Sequence, residues 1–179
     1  INRVSSGVRR ARFSVDEVVW LTLEFYRRNY IEGLFLSSGV LRTPDQTMEE
    51  LIAVARTLRQ DHKFHGYIHL KAVAGASPEL VQSAGLWADR LSANIELPTQ
   101  AELDLLAPAK THQEIEQTMG TIQEEIQQSE EDKRQRRRRR IFAPGGQSTQ
   151  MIVGASPSTD QDILRTASHL YQHFGLRRV

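Results

Sequence analysis

Helix-like and strand-like patterns alternate along this chain of 179 residues, and the alternation predicts an α/β fold with a parallel sheet. Segments with apolar residues at helical spacing begin with Ser or Thr followed three residues later by Glu, as at Ser14 and Glu17. Short apolar runs such as 33–36 separate these segments. Because strands that alternate with helices are joined by right-handed crossovers, a doubly wound sheet and a barrel are the two alternatives.

The predicted elements follow one another in a regular order. Helices are expected to begin at the N-cap residues Ser14, Thr47, Ser77 and Thr99 and within 158–161. Gly175 is expected to end the last helix, because glycine readily adopts the left-handed conformation found there. The predicted strands cover 33–39 with its exit loop, 67–73, 90–97 and 149–155, and a further strand begins at 176.

Residues 108–147 interrupt this order and form a charged helical insertion in a single domain spanning 1–179. Ile115, Met119, Ile122 and Ile126 lie at helical spacing, which predicts one long helix with a single apolar seam. A loop is expected at 142–147.

The insertion also contains a basic tract, Lys133–Arg140. A solvated helix end is the favoured interpretation, since acidic residues precede the tract and no aromatic residue is interleaved. The alternative is that Arg136, Arg137, Arg138, Arg139 and Arg140 contact nucleic-acid phosphates.

Composition excludes several function classes. The chain has 23 basic and 22 acidic residues, so only a local cluster of charge could favour a polyanionic partner. Without cysteine, it offers no disulfide, no thiolate nucleophile and no Cys-ligated metal of its own. No apolar run reaches the length of a membrane span, and 1–12 is too polar for a signal peptide. We therefore expect a cytoplasmic protein with no membrane partner.

Two predicted strands have one polar face each. Apolar residues alternate there with polar ones, which are Tyr67, His69 and Lys71 in one strand and Ser92, Asn94 and Glu96 in the other. An unpaired buried Lys or Glu costs several kcal/mol, so this face must meet water or a ligand. In a barrel it would line the lumen, and the carboxyl ends of the strands would form the active site. The simpler alternative is an edge strand with one solvated face.

Several of these segments resemble the radical SAM superfamily. They are 33–39, 69–71, 94–99 and 145–155, and the most specific phrases are 29–39 and 142–155. Within the superfamily, the chain is similar to a bacterial group named for DNA modification and repair. That group is associated by name with a uracil-DNA-glycosylase-like partner protein.

The resemblance implies an enzyme with a partial (β/α)6 TIM-like barrel. A C-x3-C-x2-C loop after the first strand would hold a 4Fe-4S cluster. With an electron donor, the cluster would cleave S-adenosylmethionine (SAM) to a 5′-deoxyadenosyl radical, which would act on DNA or another nucleic acid. By this resemblance the chain lacks the first strand and the cysteine loop, whose last cysteine would adjoin Ile1. It also lacks part of the last strand, and alone it is expected to be inactive.

The resemblance also assigns residues to the parts of SAM. The amino group would meet Ser37, Ser38 and Gly39, where the family commonly has Gly-Gly-Glu, so only a backbone role transfers. The ribose would bind Asn94 and Glu96, with Ser92 beside them, and the adenine would lie against Ile152, Val153 and Gly154. Lys71 would meet the SAM carboxylate or a substrate anion.

The sequence supports two alternative functions from different classes. The first is the core of such a radical SAM enzyme. The second is a non-catalytic α/β barrel module that binds nucleic acid through Lys133–Arg140. No dinucleotide-binding, P-loop or Gly-x-Ser-x-Gly motif supports a third.

Overall fold

The computed structural model describes residues 12–135 and 141–179 and confirms the predicted α/β class. Its sheet is parallel throughout its four strands. The elements in chain order are α1 (Val15–Arg27), β1 (Gly33–Leu36), α2 (Pro44–Gln60), β2 (Tyr67–Lys71), α3 (Pro78–Gly85), β3 (Arg90–Ser92), α4 (Gln100–Leu106), α5 (His112–Arg134), β4 (Gln147–Ser148) and α6 (Asp160–Phe174).

The strands lie in the order β1-β2-β3-β4, so each strand neighbours the next one along the chain. Right-handed crossovers that always step in the same direction place the connecting helices on one face of the sheet. Burial along β2 agrees with this arrangement. Ile68 and Leu70 are fully buried, whereas Tyr67 is 45% exposed and His69 and Lys71 are half-buried. The polar face predicted from the sequence therefore lies opposite the helices.

Two apolar clusters hold the helices on the sheet. The larger packs α1, α2 and α3 against the strands, and its fully buried side chains include Met48, Leu58, Ile68, Leu70 and Leu91. The smaller joins 93–97 to α4, α5 and α6 through Ile95, Leu103, Ile115, Met119 and Leu170. Burying one such side chain stabilises the fold by roughly 1.5–3 kcal/mol, so these two layers fix the positions of the strands.

Most predicted helix ends are confirmed. Capping boxes join Ser14 to Glu17 and Thr99 to Glu102, Ser77 is the N-cap of α3, and Gly175 ends α6 at a φ of 55°. The cap predicted within 158–161 is Thr159, whose box partner is Asp162.

The predicted start of α2 at Thr47 is wrong. The N-cap is Thr43, and the helix begins with Pro44, whose fixed φ suits the first helical turn. Thr47 lies one turn inside and is fully buried. Its hydroxyl donates to the Thr43 carbonyl at 2.9 Å and accepts from the Leu41 amide at 3.0 Å. Thr47 therefore does not cap the helix but bonds to the loop that leads into it.

The strands are shorter than predicted, and the last lies two residues earlier. Strand β4 is Gln147–Ser148, so Gln147 does not belong to the predicted loop, and 149–155 contributes only a bridge from Met151 to Glu96. The hydroxyl of Thr149 donates to the Ala93 carbonyl at 2.7 Å and accepts from the Ile95 amide at 2.9 Å. This side chain thus replaces the backbone ladder between the two strands, which explains why both end early.

The long helix of the insertion is confirmed as α5. Ile115, Met119 and Ile122 are buried, and Ile126 packs partly against the larger cluster. Lys133 and Arg134 are at its end, while Arg136–Arg140 fall outside the described residues. The strand expected from 176 is present as a parallel bridge between Arg178 and Ser148.

The amino ends of β2 and β3 are joined by an ion pair between Arg59 and Asp89. The guanidinium lies 2.6 Å from the Asp89 carboxylate and also donates to the carbonyls of Phe64 and Gly66 at 2.6 and 2.8 Å. The same carboxylate accepts from the Ile68 amide at 2.7 Å. One arginine and one carboxylate therefore satisfy several backbone groups where the strands begin.

Replacing Asp89 by Ala is expected to lower the free energy of unfolding by about 2–3 kcal/mol, because it leaves Arg59 and the Ile68 amide without their shared acceptor. Urea unfolding followed by circular dichroism measures the change. Asp61→Ala is the matched control, since this carboxylate is exposed at the same end of the sheet, and it should change stability by less than about 0.5 kcal/mol. Equal stability of the two variants would contradict the role given to Asp89.

Candidate functional site

The candidate site is the polar face of the sheet, the face opposite the helices, together with its carboxyl edge. Across this face the register aligns Phe35 with His69 and His69 with Arg90, and one step further it aligns Lys71, Ser92 and Ser148. Because all four strands are parallel, the segments that follow them (37–39, 94–96 and 149–154) leave the sheet at one edge, where Lys71 also ends β2.

Glu96 is the centre of this edge. Its carboxylate Oε1 accepts from the Nζ of Lys71 at 3.1 Å and from the Nζ of Lys110 at 2.7 Å. The Glu96 side chain is 8% exposed, and those of the two lysines are 22% and 32% exposed. Both bonds reach the same oxygen, and no bond to Oε2 is present among the described residues. One half of a nearly buried carboxylate thus remains available.

The backbone of Glu96 is held in an uncommon conformation. Its φ is +67°, in the left-handed region that costs a non-glycine residue roughly 1–2 kcal/mol. Hydrogen bonds fix it on both sides, from its amide to the Gln150 carbonyl at 3.1 Å and from the Ile152 amide to its own carbonyl at 2.7 Å. Asn29, Lys63 and Ala143 also have a positive φ, but only at Glu96 does this strain coincide with a carboxylate that contacts two lysines among the described residues.

The electrostatic environment keeps Glu96 ionised. Burial alone raises the pKa of this carboxyl group, but the hydrogen bonds and charges of Lys110 and Lys71 together outweigh it. The pKa of Glu96 is therefore below its ordinary value. At neutral pH the edge holds one carboxylate and two ammonium groups.

His69 lies in the middle of the polar face in an environment that disfavours its charge. Burial, and then the charge of Arg90, lowers the pKa of His69 to about 4. Its ring meets Phe35 edge-on, with ring centroids 4.7 Å apart. The buried Nε2 of His69 and the buried Nε of Arg90 both lack a hydrogen-bond partner in the described part of the chain. Two side chains in register on this face thus each have a buried polar atom without a hydrogen bond among the described residues.

The structure brings together several of the residues singled out from the sequence. Lys71 contacts Glu96, and the Asn94 side-chain amide donates to the Gln150 side chain at 3.1 Å. Ser92 is buried in register beside Lys71.

The other predicted residues lie at the ends of their strands. Ser37, Ser38 and Gly39 form an exposed loop after β1, and a side chain at Gly39 would meet no neighbouring atom. Ile152 and Val153 are 41% and 66% exposed, and Gly154 has a φ of +81°. These two segments expose backbone and apolar surface to solvent.

Sequence reasoning missed Lys110 and Gln150. Lys110 lies between α4 and α5, 14 residues beyond Glu96, and only the folded chain brings the two together. Gln150 lies within the predicted strand 149–155, but neither its spacing nor its type marks it as the partner of Asn94.

The described residues hold no group of three or more His, Cys, Asp or Glu side chains that could bind a metal ion. His169 and His173 lie one turn apart on α6, with His169 3.5 Å from Glu116. Among the helices of the described ranges, none is both long enough and apolar enough to cross a membrane. No protein-family model matches the chain, and comparison with curated proteins gives no match.

The low pKa of His69 predicts an acid-sensitive fold. Between about pH 6.5 and pH 4 the unfolded chain binds a proton at His69 and the folded chain does not, so the free energy of unfolding falls as the pH is lowered through this window. His69→Gln should reduce this fall, as measured by urea unfolding at several pH values above 4.5. His65→Gln, a change at an exposed histidine, should leave it intact. An identical pH dependence in both variants would contradict the environment described for His69.

Proposed function

We propose that this chain is the core of a radical SAM enzyme that binds SAM at the carboxyl edge of its sheet. The observation that carries the proposal is the half-occupied carboxylate of Glu96, held by two lysines beside Asn94 at the ends of neighbouring parallel strands. The sequential strand order, continued by Arg178, is the order expected in a partial (β/α)6 barrel. The polar face would then line the barrel lumen.

The ribose is the part of SAM that this edge suits best. A carboxylate can accept hydrogen bonds from two vicinal hydroxyl groups. In Glu96 both lysines bond to Oε1, so Oε2 is the oxygen that can accept from the ribose. Asn94 adds an amide that can exchange its bond to Gln150 for one to the ligand. The two lysines keep the carboxylate charged and fixed in place, so the acceptor is oriented before SAM arrives.

The exposed segments 37–39 and 152–154 suit the amino-acid and adenine ends of SAM. Ile152 and Val153 offer apolar surface that an adenine ring can cover, and the open space at Gly154 lets the ring approach the backbone. The loop at 37–39 offers backbone carbonyls to the amino group of SAM. Lys71 is close enough to Glu96 to meet an anionic group beside the ribose.

The 4Fe-4S cluster has no ligands in this chain, which contains no cysteine, so the proposal requires cysteines from outside it. When bound, the cluster supplies the electron that cleaves SAM. The residues described here bind SAM, orient it and keep the carboxylate charged. The resemblance further suggests a nucleic acid or a nucleic-acid component as substrate, an electron donor and a glycosylase-like partner, all in the cytoplasm.

The proposal predicts that the folded chain binds SAM in isothermal titration calorimetry and that Asn94→Ala and Glu96→Gln each weaken binding about tenfold. Each change removes a hydrogen bond to the ribose that is worth roughly 1.5 kcal/mol. Gln161→Ala, an amide removed from the exposed surface of α6, is the control and should bind as the wild type does. A stably folded chain that fails to bind SAM would refute the SAM site.

The cluster requires a separate test. The coding sequence before Ile1 should encode C-x3-C-x2-C with its last cysteine adjoining Ile1. A protein extended to include that motif should bind iron and sulfide under anaerobic conditions and cleave SAM to 5′-deoxyadenosine. An upstream reading frame without these cysteines would rule out the radical mechanism even if SAM binds.

A further inference from the structure

The polar face carries more positive charge than its single carboxylate can balance. Lys71 and Lys110 share one oxygen of Glu96, and Arg90 makes no ion pair among the described residues. His69, at the same register position as Arg90, is neutral at pH 7 because its pKa is about 4. Three cations and one anion leave a net charge of +2, and the lysines are too poorly exposed for water to screen it fully.

The groups between these charges are uncharged hydrogen-bonding groups. Ser92 and Ser148 are in register with Lys71 across three strands, and both are buried. Arg90 lies two residues before Ser92 and in register with His69, and the buried Nε of Arg90 and Nε2 of His69 have no hydrogen-bond partner among the described residues. The strands therefore offer ammonium, guanidinium and hydroxyl donors at adjacent register positions, and Lys110 adds a second ammonium group from the loop between α4 and α5. This combination is typical of sites that bind oxyanions.

We propose that the polar face binds a phosphoryl group through Lys71, Arg90 and Lys110. A phosphoryl group carries close to two negative charges at neutral pH, which matches the excess of two positive charges, and its oxygens can accept hydrogen bonds from several donors at once. A single carboxylate would neutralise only half of that excess.

Glu96 has a defined part in this site. Its carboxylate holds Lys71 and Lys110 together when the ligand is absent and competes with the ligand for the same ammonium groups. Removing its charge should therefore strengthen anion binding, whereas removing either lysine should weaken it. A triad that only stabilised the fold would give no such opposite effects.

This inference rests on the proposed function, because the phosphoryl site would be the substrate subsite of the proposed enzyme. Its test is independent of that function, because phosphate binding is measured without SAM. Loss of phosphate binding with SAM binding intact would refute the inference alone. Phosphate binding without SAM binding would refute the proposed SAM site alone.

The experiment is calorimetric titration of the whole chain with inorganic phosphate at constant ionic strength, with chloride as the compensating anion. The wild type should bind phosphate saturably. Lys71→Gln, Arg90→Gln and Lys110→Gln should each weaken binding about tenfold, since each removes one charge-assisted contact. Glu96→Gln should strengthen binding several-fold. Lys63→Gln is the control: its Nζ donates to the Gln60 carbonyl at the opposite edge, and the change should have no effect.

Urea unfolding of each variant confirms that it is folded before titration. Lys110 lies in a loop and its side chain is a third exposed, so Lys110→Gln keeps the test decisive even if a change within a strand prevents folding. If a phosphomonoester binds more tightly than inorganic phosphate, the site binds the phosphoryl group of a larger substrate. If inorganic phosphate binds more tightly, the ligand is free phosphate. The inference is overturned if the folded wild type shows no saturable binding, or if Lys110→Gln binds phosphate as tightly as Lys63→Gln.

Discussion

The handedness of the crossovers is the constraint on which the rest of this structure depends. Each of the four strands lies beside the next one in the chain, so right-handed connections place the helices on one side of the sheet. That side supplies the apolar clusters that stabilise the fold. The other side is released from the demands of core packing and can carry His69, Lys71 and Arg90.

Several departures from local rules lie on that same side. Glu96 has a left-handed backbone, two ammonium groups share its carboxylate, and two neighbouring polar atoms have no partner in the described structure. On the helical side, the capping boxes at Ser14 and Thr99 form as their sequences predict, whereas the cap predicted at Thr47 does not. Arg59 and Asp89 satisfy one another and the backbone around them. Natural proteins break local rules mainly where a site requires it. The strained backbone of Glu96, its two lysine partners and the unpartnered atoms of His69 and Arg90 favour the polar face as the site.

The sequence predicted the α/β class, most helix ends and the polar face, because each rests on periodicity or capping within a few residues. It failed where tertiary contacts override local signals. Thr47 has the sequence of an N-cap, but Pro44 starts the helix a turn earlier. The hydroxyl of Thr149 replaces a strand ladder, which no periodicity could reveal. Lys110 reaches Glu96 from a loop inside the insertion, and that contact exists only once α4 and α5 are packed.

We propose that the polar face and its carboxyl edge, rather than the helical layer, form the ligand-binding side of this protein. The most direct measurement is the change in backbone amide NMR shifts when SAM is added to the isotopically labelled chain. We expect changes confined to 37–39, 94–96 and 150–154, with the helical surfaces of α2 and α3 unaffected. Shifts centred on those helices, or spread evenly over the chain, would contradict a binding site on the polar face.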